Sequence, residues 1–255
     1  MSQSPVIFFP GTLCDERVFM PLWSELALNN KAFVPLQWAE NLAQMQSLSM
    51  DRLAYFDEPV HLVGYSMGGY IAALTAIQEA NTVKDKSKRK VASLSLVSSS
   101  GTALANSELE QRKLLLQSIK KKQYKGMTQA RINFMLHQNN ADDTELSSTI
   151  KAMSDDLGPA TLATQTEATS ERKNVLDALA NLQIPVHFIL GEHDKIASPK
   201  QCLSHASLSR QIQTTVIEGA GHMLPLEKSK QLALALSKTF KGSKNQIALT
   251  PELGD

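Results

Sequence analysis

The fold of this chain is decided by Gly64-Tyr65-Ser66-Met67-Gly68-Gly69, which follows the apolar run Val60-His61-Leu62-Val63. A helical pattern begins at Gly69, so the stretch predicts a strand, a tight turn and a helix. Such a turn holds Ser66 in a strained backbone conformation, with its hydroxyl at the positive end of the helix dipole. Small neighbours at Gly64 and Gly68 let strand and helix approach closely. The pattern therefore predicts a nucleophilic serine.

Apolar runs of strand length recur along the chain, separated by helical patterns. They are continuous instead of alternating, which is typical of strands covered on both faces. The predicted strands are residues 6–9, 32–36, 60–63, 92–97, 186–190 and 214–217, and the main helical stretches are 69–79, 199–207 and 226–240. This order favours a mostly parallel central sheet flanked by helices.

One long segment, residues 102–180, has helical patterns and no strand candidate. We interpret it as an inserted all-helical cap, with residues 1–101 and 181–255 forming the core. Its first helix is predicted to open at Ser107, because Ser107-Glu108-Leu109-Glu110 has the form of a capping box. Further cap helices are predicted at residues 129–137, 144–153 and 159–179, and the tail from Gly242 is predicted to be loosely held.

Composition excludes several classes of protein. With 42% hydrophobic residues, 20% charged residues and a net charge of +1, the chain is typical of a soluble globular protein and gives no reason to expect a nucleic-acid partner. A basic leader and a long apolar segment are both missing from the sequence, so we expect no membrane span and a cytoplasmic location. The basic run 84–90 is interpreted as a solvated loop.

Two cysteines, Cys14 and Cys202, are too few for a disulfide framework or a zinc site. We expect both to be free thiols, and we expect no metal.

A serine nucleophile needs a base, and the base needs an orienting group. Asp194 follows the predicted strand 186–190, at the sheet edge where open α/β folds build their sites. His222 follows the last predicted strand in the glycine-rich loop Glu218-Gly219-Ala220-Gly221-His222. We therefore predict the triad Ser66, Asp194 and His222, with Glu192 as the alternative acid.

The other five histidines are weaker candidates for the base. His61 and His187 lie inside predicted strands and are expected to be packed. His137 and His205 fall on predicted helices, and His193 is expected to point away from its neighbour Asp194.

Acyl transfer also requires backbone donors for the tetrahedral oxyanion. The amide of Met67, directly after the nucleophile, is one candidate. The other comes from the loop after the first strand, where we favour the amide of Thr12 over that of Leu13. Leu13 and Met223, beside these groups, are expected to contact substrate. No organic cofactor is required by this chemistry.

Together these features resemble the α/β-hydrolase superfamily over nearly the whole chain. The segment Pro10-Gly11-Thr12-Leu13-Cys14-Asp15-Glu16-Arg17-Val18-Phe19 is similar to the oxyanion loop of pimeloyl-acyl-carrier-protein methyl ester esterases, although those have His-Gly in place of Pro10-Gly11. The segment Phe134-Met135-Leu136-His137-Gln138 resembles their substrate-lining cap segment, which implies substrate contacts by Phe134 and Gln138.

Two other branches of the superfamily fit less well. The pyruvate-eliminating synthase of the menaquinone pathway has a similar turn followed by an arginine that binds its acidic substrate, whereas this chain has Tyr70. Tyr70 thus argues against a substrate with several carboxylates. Haloalkane dehalogenases have a carboxylate nucleophile, which Ser66 excludes.

The resulting hypothesis is a serine esterase that cleaves a small-molecule carboxylic ester through an acyl-enzyme. The alternatives are a C–C bond hydrolase or lyase with the same triad, and a ligand-binding protein without turnover. The resemblance also implies an acidic acyl carrier protein as partner, although a merely solvated cap face is the simpler interpretation. The basic cap residues that would receive it are Arg112, Lys113, Lys120, Lys121, Lys122, Lys125 and Arg131.

Overall fold

The computed structural model describes residues 4–83 and 85–247. Its strands are β1 (Val6–Phe9), β2 (Lys31–Phe33), β3 (Val60–Tyr65), β4 (Val91–Val97), β5 (Val186–Gly191) and β6 (Ile212–Ile217). Its helices are α1 (Met20–Glu25), α2 (Leu42–Ala54), α3 (Met67–Thr82), α4 (Asn106–Lys120), α5 (Gln129–Met135), α6 (Thr144–Ala168), α7 (Leu176–Ala180), α8 (Pro199–Leu203), α9 (Leu224–Glu227) and α10 (Ser229–Ile247). Lys84 of the predicted loop and residues 248–255 of the predicted tail lie outside the described residues.

The six strands form one sheet in the order β2-β1-β3-β4-β5-β6, and every neighbouring pair is parallel. The predicted parallel sheet flanked by helices is therefore confirmed. From β1 the chain first moves outward to β2 and then crosses back to β3 on the other side of β1. Ligand sites of such sheets lie beyond the carboxyl ends of the strands, near the point where the strand order reverses.

Both faces of the sheet are covered, which explains the continuous apolar runs. Along β1, Ile7 and Phe9 belong to the hydrophobic cluster that includes Ile71 of α3. Val6 and Phe8, on alternate positions, belong to the opposite cluster with Leu236 of α10. All four β1 side chains are fully buried.

The last helical stretch differs from its prediction. It divides at Lys228 into α9 and α10, and α10 continues through Gly242 to Ile247. The prediction of a loose tail from Gly242 is thus wrong up to residue 247. A helical glycine costs about 1 kcal/mol relative to alanine, and burial of Leu232 and Leu236 on the same helix outweighs it.

Among the described residues between β4 and β5, the regular elements are all helical. The predicted capping box is wrong, because α4 begins at Asn106 with Ala105 at the N-cap and no side-chain capping bond. Helix α6 joins two predicted helices across a kink at Gly158 (φ 72°, ψ 176°), directly before Pro159. The predicted helix 159–179 is interrupted, because α6 ends at Ala168 and the next helix, α7, begins at Leu176. We call residues 102–180 the cap segment; their standing as a separate domain remains a prediction.

Candidate active site

Ser66 occupies the turn between β3 and α3. Its backbone has φ 52° and ψ −117°, a conformation that side-chain-bearing residues rarely adopt. The Ser66 amide donates to the carbonyl of Val97 at 2.8 Å, and the Ser66 carbonyl accepts from the Gly69 amide at 3.0 Å. Packing around the turn thus holds the strained residue in place.

Two glycines make this turn possible by removing side chains at points of close approach. A Cβ atom on Gly68 would collide with the backbone carbonyls of Phe9 and Pro10, and one on Gly64 would collide with the backbone of Gly68 and Gly69. Strand β3, helix α3 and the end of β1 can therefore meet only with glycine at both positions.

The structure brings the three predicted triad residues together from the ends of β3, β5 and β6. Ser66 Oγ lies 3.0 Å from His222 Nε2. On the other side of the ring, His222 Nδ1 lies 3.0 Å and 2.9 Å from the two carboxylate oxygens of Asp194. The Asp194 side chain is fully buried and that of His222 is 5% exposed. This is the chain of contacts that activates a serine.

The rival acid, Glu192, is engaged elsewhere. Its Oε2 accepts from the Gly219 amide at 3.1 Å and lies 3.4 Å from His193 Nδ1, and its side chain is 47% exposed. Asp194 Oδ1, in contrast, also accepts from the amides of Ile196 and Ala197, each at 2.8 Å. These two bonds fix the carboxylate in its orientation toward His222.

The loop that carries His222 is held by the cap segment. The His222 amide donates to the carbonyl of Met135, the last residue of α5, at 2.7 Å. Glu227 bridges the same two regions: its Oε1 accepts from the Gly221 amide at 3.0 Å, and its Oε2 accepts from the His137 amide at 2.7 Å and from Asn140 Nδ2 at 2.9 Å. Sequence reasoning missed Glu227, because no local pattern marks an acid that accepts amides from a distant segment.

The oxyanion loop after β1 distinguishes Thr12 from Leu13. Leu13 has a positive φ of 52°, and its amide already donates to Gln165 Oε1 in α6 at 2.9 Å. Thr12 and Met67, in contrast, border the same small recess as Ser66. The geometry therefore favours Thr12 over Leu13 as the partner of Met67.

A cavity of about 560 Å³ opens over Ser66 and His222. Leu13 and Met223 line it from the core, as expected. Its apolar lining from the cap segment comprises Leu115, Met127, Met135, Ile150, Met153 and Leu162.

Phe134 and Gln138 are not among the described residues that line this cavity. The neighbours of Phe134 on α5, Arg131 and Met135, both line the cavity. Phe134 is 42% exposed, and the charged groups of Arg131 and Lys195 lie 5.2 Å and 5.5 Å from the centroid of its ring. Gln138 is exposed and starts a short 3₁₀ turn beyond α5.

The histidines of the sheet are buried, as expected. His61 Nδ1 lies 2.8 Å from Ser93 Oγ. His187 lies between Thr239 and Thr215, at 2.6 Å and 2.8 Å, and burial lowers its pKa to about 4. It is therefore neutral near pH 7.

The remaining histidines also differ from the base. His205 is buried against Phe188, with ring centroids 5.2 Å apart. His137 follows α5 instead of lying on it, and its ring is 4.6 Å from that of His193.

Cys14 and Cys202 are free and buried, and burial raises the pKa of each thiol to about 12. Both are thus protonated and unreactive at neutral pH. Across residues 4–83 and 85–247, no three histidine, cysteine or acidic side chains form a group suited to a metal ion. None of the helices in this part of the chain is both long and apolar enough to cross a bilayer.

Solved structures with the same architecture include enzymes of several kinds. A thermophilic esterase from Thermogutta terrifontis aligns with a TM-score of 0.76 at 19% identity, covering 95% of this chain and 91% of that one. MenH from S. aureus aligns with a TM-score of 0.77 at 18% identity, covering 96% of each chain. A bromoperoxidase from Bacillus anthracis aligns with a TM-score of 0.71 at 16% identity, covering 94% and 92%. At these identities the likeness shows the fold alone.

Sequence comparison identifies the family. No curated protein sequence matches the chain significantly. The family model described as "alpha/beta hydrolase fold" matches residues 41–229, well over half of the chain and the part that carries Ser66, Asp194 and His222. With the parallel sheet and the strand-turn-helix around Ser66, this match shows that the chain belongs to the α/β-hydrolase fold family.

Proposed function

We propose that this protein is a serine esterase that hydrolyses a carboxylic ester through an acyl-enzyme. The observation that carries the proposal is the continuous contact from Ser66 Oγ through His222 to Asp194, with both links at 2.9–3.0 Å. The family and the esterases among the structural neighbours support a hydrolase of this kind.

In the proposed mechanism, His222 Nε2 accepts the Ser66 proton as Oγ attacks the ester carbonyl. The amides of Thr12 and Met67 stabilise the negative charge on the carbonyl oxygen. Collapse of the tetrahedral intermediate breaks the bond to the alcohol, which leaves with the proton that His222 returns. A water molecule then loses its proton to His222 and hydrolyses the acyl-enzyme, which releases the acid and restores Ser66.

Reaction with a fluorophosphonate tests the nucleophile directly. We expect wild type to gain one adduct on Ser66, and we expect Ser66→Ala to remain unlabelled and to lose on the order of 10⁶ in kcat toward esters. Retention of a tenth of wild-type activity by this variant would exclude Ser66 as nucleophile. Circular dichroism of the variant controls for folding.

A panel of p-nitrophenyl and methyl esters of graded chain length then separates the reaction classes. Turnover of esters supports the proposal. Labelling of Ser66 with cleavage only of C–C substrates would instead indicate a C–C hydrolase or lyase with the same triad, and the absence of labelling would indicate a binding protein.

The proposed carrier-protein partner has support from part of the basic cap set only. Lys120, Lys121 and Lys122 are exposed at the end of α4, whereas Lys113 pairs with Glu110 at 2.7 Å. Arg112, Lys125 and Arg131 line the cavity instead. Three adjacent exposed lysines can attract an acidic protein by a salt-sensitive effect on association.

A further inference from the structure

A small recess of about 50 Å³ adjoins the proposed nucleophile. Ser66, Thr12 and Met67 border it on the core side, and the guanidinium-bearing Arg112 and Arg172 border it from the cap segment. Its floor includes Ser98, which has a positive φ of 48° and a buried hydroxyl without a hydrogen-bond partner among the described residues. The recess is therefore polar, cationic and next to the reacting atoms.

Arg172 is positioned by an aromatic ring. Its guanidinium lies over the ring of Tyr70 in α3, 5.5 Å from the centroid. The hydroxyl of the same tyrosine accepts from the Lys173 amide at 2.9 Å, which anchors the backbone beside Arg172. The Nε atom of Arg172 is buried and has no hydrogen-bond partner in the described part of the chain. Arg172 thus has a fixed place and an unused donor.

Arg112 is held from the opposite side. Its Nη1 donates to Thr169 Oγ1 at 3.0 Å, and its Nη2 forms an ion pair with Glu108 at 3.3 Å. Glu108, 38% exposed, is the carboxylate found among the described residues that line the recess and the larger cavity. Arg131 and Lys125 add positive charge to the larger cavity. Cations therefore outnumber carboxylates around Ser66.

Arg112 and Arg172 are partly withdrawn from water, whereas Lys125 and Arg131 are exposed. Burial lowers the pKa of both Arg112 and Arg172. A guanidinium nevertheless stays protonated in proteins, so both groups remain charged where they are partly buried. A partly buried charge with an unused donor, as in Arg172, is stabilised by an anion that accepts its hydrogen bonds.

We propose that this recess binds a carboxylate of the substrate, through Arg172 and Arg112, so that the ester cleaved at Ser66 carries a second, anionic group. The inference rests on the proposed esterase function and names its substrate class. It revises the expectation that Tyr70 argues against a substrate with several carboxylates. The ring of Tyr70 contacts Arg172, so a cation is present at this place although residue 70 is not an arginine.

The surroundings of the recess favour an organic carboxylate over inorganic phosphate. The recess shares Thr12, Ser66 and Arg112 with the larger cavity, whose apolar lining can receive the carbon chain that inorganic phosphate lacks. The planar fork of an arginine matches the two oxygens of a carboxylate.

The test measures selectivity between matched esters. Monomethyl glutarate and methyl pentanoate both have acyl chains of five carbons. The terminal methyl group of the pentanoate is replaced by a carboxylate in the glutarate. We expect wild type to favour monomethyl glutarate in kcat/KM, and Arg172→Gln to lower the ratio of the two kcat/KM values on the order of 100-fold. Arg172→Lys, which keeps charge but loses the fork, should fall between them. Lys230→Gln, which removes an exposed positive charge on α10 away from the cavity lining, should leave the ratio unchanged.

A binding measurement keeps this proposal separate from the esterase proposal. Free glutarate should raise the Tm of wild type and of Lys230→Gln, but not that of Arg172→Gln, whether or not esters are hydrolysed. Inorganic phosphate is the comparison anion and should shift Tm less than glutarate. Equal selectivity in wild type and Arg172→Gln, or an equal Tm shift in both, would overturn the subsite. If wild type hydrolyses none of the esters but the Tm shifts are as expected, the esterase proposal alone would be overturned.

Discussion

The turn that carries Ser66 and the loop that carries His222 are held in different ways. The Ser66 turn is fixed within the sheet, by the Val97 carbonyl on β4 and by the contact of Gly68 with the end of β1. The His222 loop is fixed from outside the sheet, by the Met135 carbonyl at the end of α5 and by Glu227. The core thus positions the nucleophile, whereas the base depends on where the cap segment packs.

The largest effect we predict in this comparison is at the acid that orients the base. Asp194→Asn should lower kcat by up to about 10⁴, because the new amide stabilises the wrong histidine tautomer. The asparagine carbonyl can still accept from the Ile196 and Ala197 amides, so the turn should keep its shape. Glu192→Gln is the matched control and should have a mild effect. Steady-state kinetics of both variants test this prediction. A larger loss of kcat in Glu192→Gln than in Asp194→Asn would assign the orienting acid to Glu192.

An intermediate effect is predicted at the bridge between loop and cap segment. Glu227→Ala removes the acceptor of three hydrogen bonds and should lower kcat by about 10- to 100-fold, because a small displacement of a catalytic group has effects of this size. Glu227→Gln, which retains one acceptor oxygen, should lose less. Glu218→Ala, an exposed acid in the same loop, is the control.

To separate an effect on positioning from an effect on stability, kcat and its pH profile are measured for each variant well below its Tm. A Glu227→Ala variant with reduced Tm and unchanged kcat would show that the bridge stabilises the fold without positioning His222.

The smallest effect is predicted on the nucleophile side. Met67→Ala should keep kcat within about tenfold of wild type, because the proposed oxyanion donor is the backbone amide and survives loss of the side chain. Met67 is the first residue of α3, and alanine has the highest helix propensity, so the substitution should not disturb the helix. A kcat loss as large as that of Ser66→Ala would show that the side chain of Met67 has a role that the backbone account omits.

What the sequence determined by itself is local and periodic. Continuous apolar runs predicted all six strands within a few residues. A strand that is buried on both faces is apolar along its whole length, so its own sequence is enough to identify it. The glycines around Ser66 predicted the strand-turn-helix, because close backbone approach excludes other residues there. The prediction of Ser66, Asp194 and His222 as a triad followed from their positions after predicted strands, and the structure brings the three side chains into contact.

The tertiary structure alone decided how the cap segment meets the core. Which face of α5 turns inward, and so why Arg131 and Met135 line the cavity while Phe134 does not, depends on packing between segments far apart in the chain. The same holds for Glu227, which accepts amides about ninety residues away, and for Arg172, which lies over a ring about a hundred residues earlier. Helical periodicity predicts that a segment is a helix, but long-range contacts select which of its side chains reach the site.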